Sequence, residues 1–165
     1  MGIRMKYAPI NIVRVNRDST LGKLALNVMD SHNNGRITQE SLDMFREDYS
    51  LLEDFQYHTV IMAAIFKGEV IGISAGVVDG FEMLNGITVV HQKYRRLGVG
   101  FKLMMAKAKE ISNYFPNVKI ATKVAANNIP SMRSLIKANF KATEITTHRK
   151  NNGSLVDCFT FTWPK

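Results

Sequence analysis

The chain has 165 residues, is 45% hydrophobic and carries a formal net charge of +8. This suits a single domain over residues 1–165 with a core of its own, and no apolar run approaches the ~18 residues that span a bilayer. The charge draws anions, whether nucleic acid, anionic lipid or a polyphosphate ligand.

The opening "MGIRMKY" is basic but lacks an apolar stretch, so no signal peptide is expected. Lys6 stands where a myristoylation pattern needs Ser or Thr. Cys158 is the only cysteine and forms no internal disulfide, which favours a reducing, cytoplasmic home. There is no RGG tract, zinc-finger spacing or RNP-like aromatic pattern.

"INIVRV" alternates apolar and polar residues as a half-buried strand does. Asp18 is placed to cap a helix whose Leu21, Leu24, Ala25 and Val28 share a face. Thr38 is placed to cap a second, with Leu42, Phe45, Tyr49 and Leu52 in a stripe. The period then changes. "TVIMAAIF" and "EVIGISAGVV" read as strands joined through Lys67-Gly68, and Asp79-Gly80 signals a hairpin into "MLNGITVV". Helical spacing returns with Phe101, Met104, Met105, Ala108, Ile111 and Phe115. "VKIATKVA" puts Val118, Ile120, Thr122 and Val124 on one strand face. Met132, Leu135 and Ile136 mark a last short helix, and a hairpin around Asn152-Gly153 ends the chain. The order β-α-α-β-β-β-α-β-α-β-β predicts an α/β domain of the α+β type, with a mixed, mostly antiparallel sheet of about seven strands and about four helices.

The sequence "VVHQKYRRLGVGFKLMMAKAKE" puts two arginines and a Gly-Val-Gly between a strand and a helix. A Walker A loop needs Lys-Ser or Lys-Thr after its last glycine, and Phe101 follows Gly100. A dinucleotide fingerprint needs a third glycine where Leu103 stands. What remains is R-x-x-G-x-G, with Arg95, Gly98 and Gly100. Glycines let a backbone approach a ligand, turn amides converge on an anion, and a helix N-terminus adds a positive dipole. A tight turn with solvated arginines would give the same six residues.

This stretch resembles motif A of the GCN5-related N-acetyltransferases, [QR]-x-x-G-x-[GA] between a strand and a long helix. "NIPSMRSLIKANF" is similar to that family's second signature, through Asn128, Ser131, Ser134, Leu135 and Phe140. The likeness covers essentially the whole chain and implies the family's fold, with acetyl-CoA as cosubstrate and no metal. It implies that Thr88, Val89 and Val90 run beside the pantetheine arm. It implies that the amides of Arg96, Leu97, Gly98, Val99, Gly100 and Phe101 hold the pyrophosphate, with Arg95 or Arg96 adding charge. Asn128 would hydrogen-bond the arm, with Ser131 one turn on. Asn128 reads equally as a helix N-cap. Two residues depart from the pattern. Asn139 replaces a glycine before Phe140, and Leu135 replaces the tyrosine that often serves as general acid.

A base must take a proton from the attacking amine. Glu82, on the approach to motif A, and His91, just after the strand that would run beside the pantetheine arm, are the catalytic candidates. Solvated or structural roles suit both as well. Cys158 reads as a buried thiol. "DSHNNGRITQES", residues 30–41, mimics a calcium loop but ends in Ser41 instead of a bidentate Glu, so it reads as a loop on the acceptor side.

The leading expectation is direct acetyl transfer from acetyl-CoA to a primary amine on a small molecule, a peptide N-terminus or a lysine. A CoA-binding sensor without catalysis is the alternative suggested by Leu135. An acceptor associated with nucleic acid is suggested by charge alone. A homodimer stays open, and no segment points to a membrane.

Overall fold

The computed structural model describes residues 9–33, 58–78, 83–149 and 152–163. The helix expected after Thr38, the Asp79-Gly80 turn and most of the 30–41 loop lie outside them. The described elements run β1 (Asn11–Val15), α1 (Thr20–His32), β2 (His58–Phe66), β3 (Glu69–Val78), β4 (Met83–Val90), α2 (Val99–Tyr114), β5 (Ala121–Ala125), α3 (Ile129–Lys137), β6 (Lys141–Arg149) and β7 (Leu155–Thr162). A single 3₁₀ turn, Gln92–Tyr94, joins β4 to α2.

The seven strands form two antiparallel sheets, ordered β1-β2-β3-β4 and β5-β7-β6. The sequence led us to expect one sheet. Strand periodicity fixes which face a residue takes but not which neighbour a strand chooses. β5 lies against β4 but makes its ladder with β7. The sheets therefore part between β4 and β5, and β4 has one ladder partner, β3, among the described residues.

α1 packs on one face of the first sheet and α2 on the other. β3, covered on both faces, is buried at every position after Glu69, the pattern of a central strand. Alternate residues of β2 serve the two cores: Val60, Met62 and Ala64 face α2, and Ile61 and Ala63 face α1. A register shift at Ala64/Ile65 leaves Ile71 unpaired opposite β2 and turns Gly72 toward α2, where an added Cβ would come 2.8 Å from Leu103 Cδ1.

The α1 expectations needed correction. Ser19, not Asp18, is the N-cap, its hydroxyl accepting from Gly22 N. Ala25 and Val28 are buried as expected, with Met29, but Leu21 and Leu24 are exposed. Ile136 of α3 is also exposed, whereas Leu135 is buried. Cys158 is half-buried, not buried.

Lys67 and Gly68 both take positive φ, as the tight β2–β3 hairpin requires. α3 ends with Asn139 at φ +71°. Phe140 N donates to Leu135 O and Asn139 N to Ile136 O. This double bond pattern is a Schellman cap, with Leu135 and Phe140 supplying its buried apolar contact. Asparagine in place of glycine thus keeps the helix end.

Candidate active site

The loop before α2 is built around two left-handed residues, Arg96 at φ +65° and Gly98 at φ +79°. Arg96 takes this conformation against its Cβ, a cost of about 1–2 kcal/mol. Gly98 is the N-cap of α2 and has no side chain to satisfy the helix's first amides. The first helical bond runs from Lys102 N to Gly98 O. The amides of Val99, Gly100 and Phe101 therefore have no acceptor within the helix. A left-handed residue followed by a helical one turns successive amides into a shared concavity that fits an anion. Arg96, Leu97 and Gly98 are exposed and Val99 is buried, so the loop opens to solvent while α2 anchors in the core.

Arg95 is placed differently from expectation. Its Nε donates to Val90 O at 3.0 Å, and its guanidinium also donates to His32 O. The side chain ties the end of β4 to the end of α1. It holds the loop, and the exposed charge near the amides is that of Arg96.

Gly100 lies one position into the helix beside β4. A Cβ there would meet Val90 Cγ2 at 3.7 Å and Thr88 Cγ2 at 4.0 Å, ordinary contacts. The motif's tolerance for alanine at this position has a steric basis.

Thr88 and Val90 share the α2 face of β4, and Val89, buried, faces α1. Thr88 Oγ1 lies 2.8 Å from Ser74 Oγ, which also donates to Ile87 O. Beside them, Lys107 of α2 is 4% exposed, and its Nζ donates to Ala75 O at 3.3 Å. Burial lowers its pKa from 10.5 to about 8. The sequence reading passed over Lys107, yet the spacing carried a signal. Leu103, Lys107 and Ile111 recur every four residues on one helix face, and all three are buried.

Asn128 is the N-cap of α3, its Oδ1 accepting from Ser131 N at 3.4 Å. Its amide NH₂ makes no other hydrogen bond among the described residues. Leu135, at the tyrosine position, is 2% exposed and packs in the α2 core.

His91 stands at the loop end of β4. Its Nδ1 accepts from Lys93 N at 3.1 Å, capping the 3₁₀ turn. Its ring stacks on His32 at 3.9 Å between centroids and meets Tyr94 edge-on. Gln92 N donates to His32 Nδ1 at 3.4 Å. Desolvation, then His91 and Arg95, hold the His32 pKa below its usual value. His91 thus supports the loop from the α1 side. There, the two histidines and Glu69 line an open cleft of about 350 Å³ floored by Leu24 and Val28. Glu82 lies outside the described residues. Among those described, no cluster of His, Cys, Asp and Glu is arranged to hold a metal.

Compared by sequence, the chain matches no family model and no curated protein. Its structure matches many solved ones. The ribosomal-protein-S18-alanine N-acetyltransferase from Escherichia coli superposes with a TM-score of 0.67 at 14% identity, covering 94% of each chain. A GNAT family acetyltransferase from Elizabethkingia anophelis, with acetyl-CoA bound, gives 0.65 at 15% identity, over 94% of this chain and 98% of that one. NAA60 from Arabidopsis thaliana, in complex with a bisubstrate analogue, gives 0.63 at 18% identity, over 94% and 97%. The chain has the fold of the GCN5-related N-acetyltransferases.

Proposed function

We propose that the protein is an N-acetyltransferase that passes the acetyl group of acetyl-CoA directly to a primary amine. The observation that carries this reading is the Gly98 loop: bare amides at the start of α2, where the helix runs beside Thr88 and Val90 of β4. The residues present fit the donor. The amides of residues 96–101 and the Arg96 charge would hold the pyrophosphate. The backbone of Thr88, Val89 and Val90 would run beside the pantetheine arm, with one amide polarising the thioester carbonyl. The Asn128 NH₂ has no acceptor among the described residues and would meet the arm's amides, with Ser131 beside it. The structural neighbours named above are acetyltransferases, and acetyl-CoA is bound in the Elizabethkingia anophelis one, which supports the same donor here.

The acceptor class is an amine, in line with neighbours named for N-acetyl transfer. Glu82 remains the candidate base. His91 is engaged in capping its turn, which favours a supporting role. No helix among the described residues is long and apolar enough to cross a membrane, and a cytoplasmic setting is part of the proposal.

A second reading, a CoA-binding domain without turnover, is favoured by the buried Leu135 at the tyrosine position. Thiol release from acetyl-CoA separates the two. The panel would hold a peptide with a free N-terminus, a blocked lysine peptide and a polyamine. Release with at least one amine supports the enzyme, whereas CoA binding by calorimetry with no release supports the second reading. Absence of CoA binding removes both.

A further inference from the structure

Lys107 is the charged side chain that the described residues bury, and they give it little. An ammonium has three donors, and its one hydrogen bond among the described residues goes to Ala75 O. No described carboxylate lies within ion-pair distance of it. Leucine and isoleucine fill the same face one turn to either side, at Leu103 and Ile111. An apolar residue would satisfy the packing there, so the lysine calls for another reason.

Its surroundings locate that reason at β4. On the α2 face, β3 and β4 present the Ser74 and Thr88 hydroxyls, and their register sets Gly76 opposite Gly86. β2 presents Val60, Met62 and Ala64. The charges on other elements packed against α2 are directed elsewhere. Arg14 of β1 pairs with Glu110 at 3.3 Å, Lys137 of α3 lies over the Phe101 ring, and Arg133 is exposed. Ala75 pairs with Ile87, the residue before Thr88. Neighbouring strands are about 4.8 Å apart, so Nζ lies within roughly 10 Å of the edge of β4 that has no ladder partner among the described residues.

We propose that the Lys107 ammonium stabilises the CoA thiolate as it departs along β4, offsetting the loss of a general acid at Leu135. The inference rests on the acetyltransferase reading above. In the step concerned, the amine nitrogen attacks the thioester carbon and a C–N bond forms. The C–S bond breaks and its electron pair goes to sulfur. The extra proton on nitrogen leaves to the base or to water, and the sulfur later takes a proton from water. Lys107 exchanges no atom with the substrate. It supplies a fixed positive field from a site of low dielectric, where charge interactions reach further than in water. The coupling is reciprocal: the thiolate also favours the protonated lysine, whose pKa without ligand is about 8.

The test is a titration of the thiol of bound CoA, followed by thiolate absorbance as pH rises, on wild type, Lys107→Met and Lys107→Arg. Thermal melts confirm that each variant is folded. On the wild type, bound CoA ionises at lower pH than free CoA. Lys107→Met moves the midpoint back by about one pH unit, a tenfold change in thiolate at a given pH. Lys107→Arg, which keeps the charge, retains the wild-type midpoint. A purely packing role would alter the melts and leave the thiol titration alone, so coincident curves for wild type and Lys107→Met overturn the proposal. Failure of the wild type to bind CoA is a different result and overturns the site assignment on which the proposal stands.

Discussion

Two stretches of α2 treat unpaired hydrogen-bond donors in opposite ways. At its start, the amides of Val99, Gly100 and Phe101 have no helix acceptor, and the loop ahead of them is exposed. Water satisfies such groups, and an anion can replace the water at little cost. Two turns later, Lys107 brings an ammonium into the core, where one carbonyl is its partner among the described residues. There water is excluded and the charged form is penalised. Donors bare in solvent are open to a ligand at little cost, as the proposed CoA site requires. A charge in the core with so few partners is a stability deficit, which the proposed role of Lys107 would account for.

The sharpest way to break the first half of that contrast is Gly98→Glu. The variant forces a side chain into φ +79° and places a carboxylate beside the amides. CoA affinity should fall by roughly 100-fold or more, as lost charge-assisted bonds and like-charge repulsion combine. Calorimetry on the folded variant checks it. Unchanged affinity would mean that the amides face no pyrophosphate.

The second half can be broken by removing the charge. Lys107→Met should raise stability at pH 7, because the pKa gap from 10.5 to about 8 corresponds to roughly 3 kcal/mol of disfavoured charge. The pH dependence has a definite sign. Below about pH 8 both folded and unfolded chains hold the proton, and the full deficit is present. As pH rises from about 8 toward 10.5, the folded chain releases its proton first while the unfolded chain still holds one, so stability increases. Urea unfolding of the wild type should show a rising midpoint across that window, and Lys107→Met should lack this increment. A less stable Lys107→Met at pH 7 would show that the lysine is better satisfied than its single hydrogen bond implies.

The same contrast explains what the sequence made legible. The turn before α2 was legible in its glycine spacing, so the strand, the tight turn at Gly98 and the helix after it were readable without a structure. β2 and β3 were readable from their apolar runs, and the Lys67-Gly68 turn from residue type. The cap of α1 was missed by one residue because Asp18 and Ser19 are both good caps, and only geometry chooses between them. Leu21 and Leu24 were assigned to the core because period alone does not say how wide a stripe is covered. The division into two sheets had no local signal, because pairing partners are chosen over long range. Lys107 was overlooked for a related reason. A lysine is taken for a solvated residue by composition, and only its place midway between Leu103 and Ile111 argues otherwise.

The smallest effect sharpens the comparison most finely, because it lies inside the loop itself. Gly98 and Gly100 are equivalent in the expected anion-loop pattern, but their places in the fold differ. Gly98 needs its left-handed φ, so Gly98→Ala should cost about 1 kcal/mol and disturb the amides that follow. Gly100 sits within α2, and its added Cβ meets only methyl groups at 3.7 and 4.0 Å. Gly100→Ala should therefore gain from helix propensity, by at most about 1 kcal/mol and less so near a helix end. CoA affinity should stay within about threefold of wild type, since the amide itself is kept and a methyl group neither carries charge nor alters φ. Paired thermal melts and CoA calorimetry on the two alanine variants test this. If Gly100→Ala weakens CoA binding as much as Gly98→Ala, the ligand approaches the backbone at Gly100 closely enough to exclude a methyl group. The anion would then be centred a residue further into the helix than the turn at Gly98 implies.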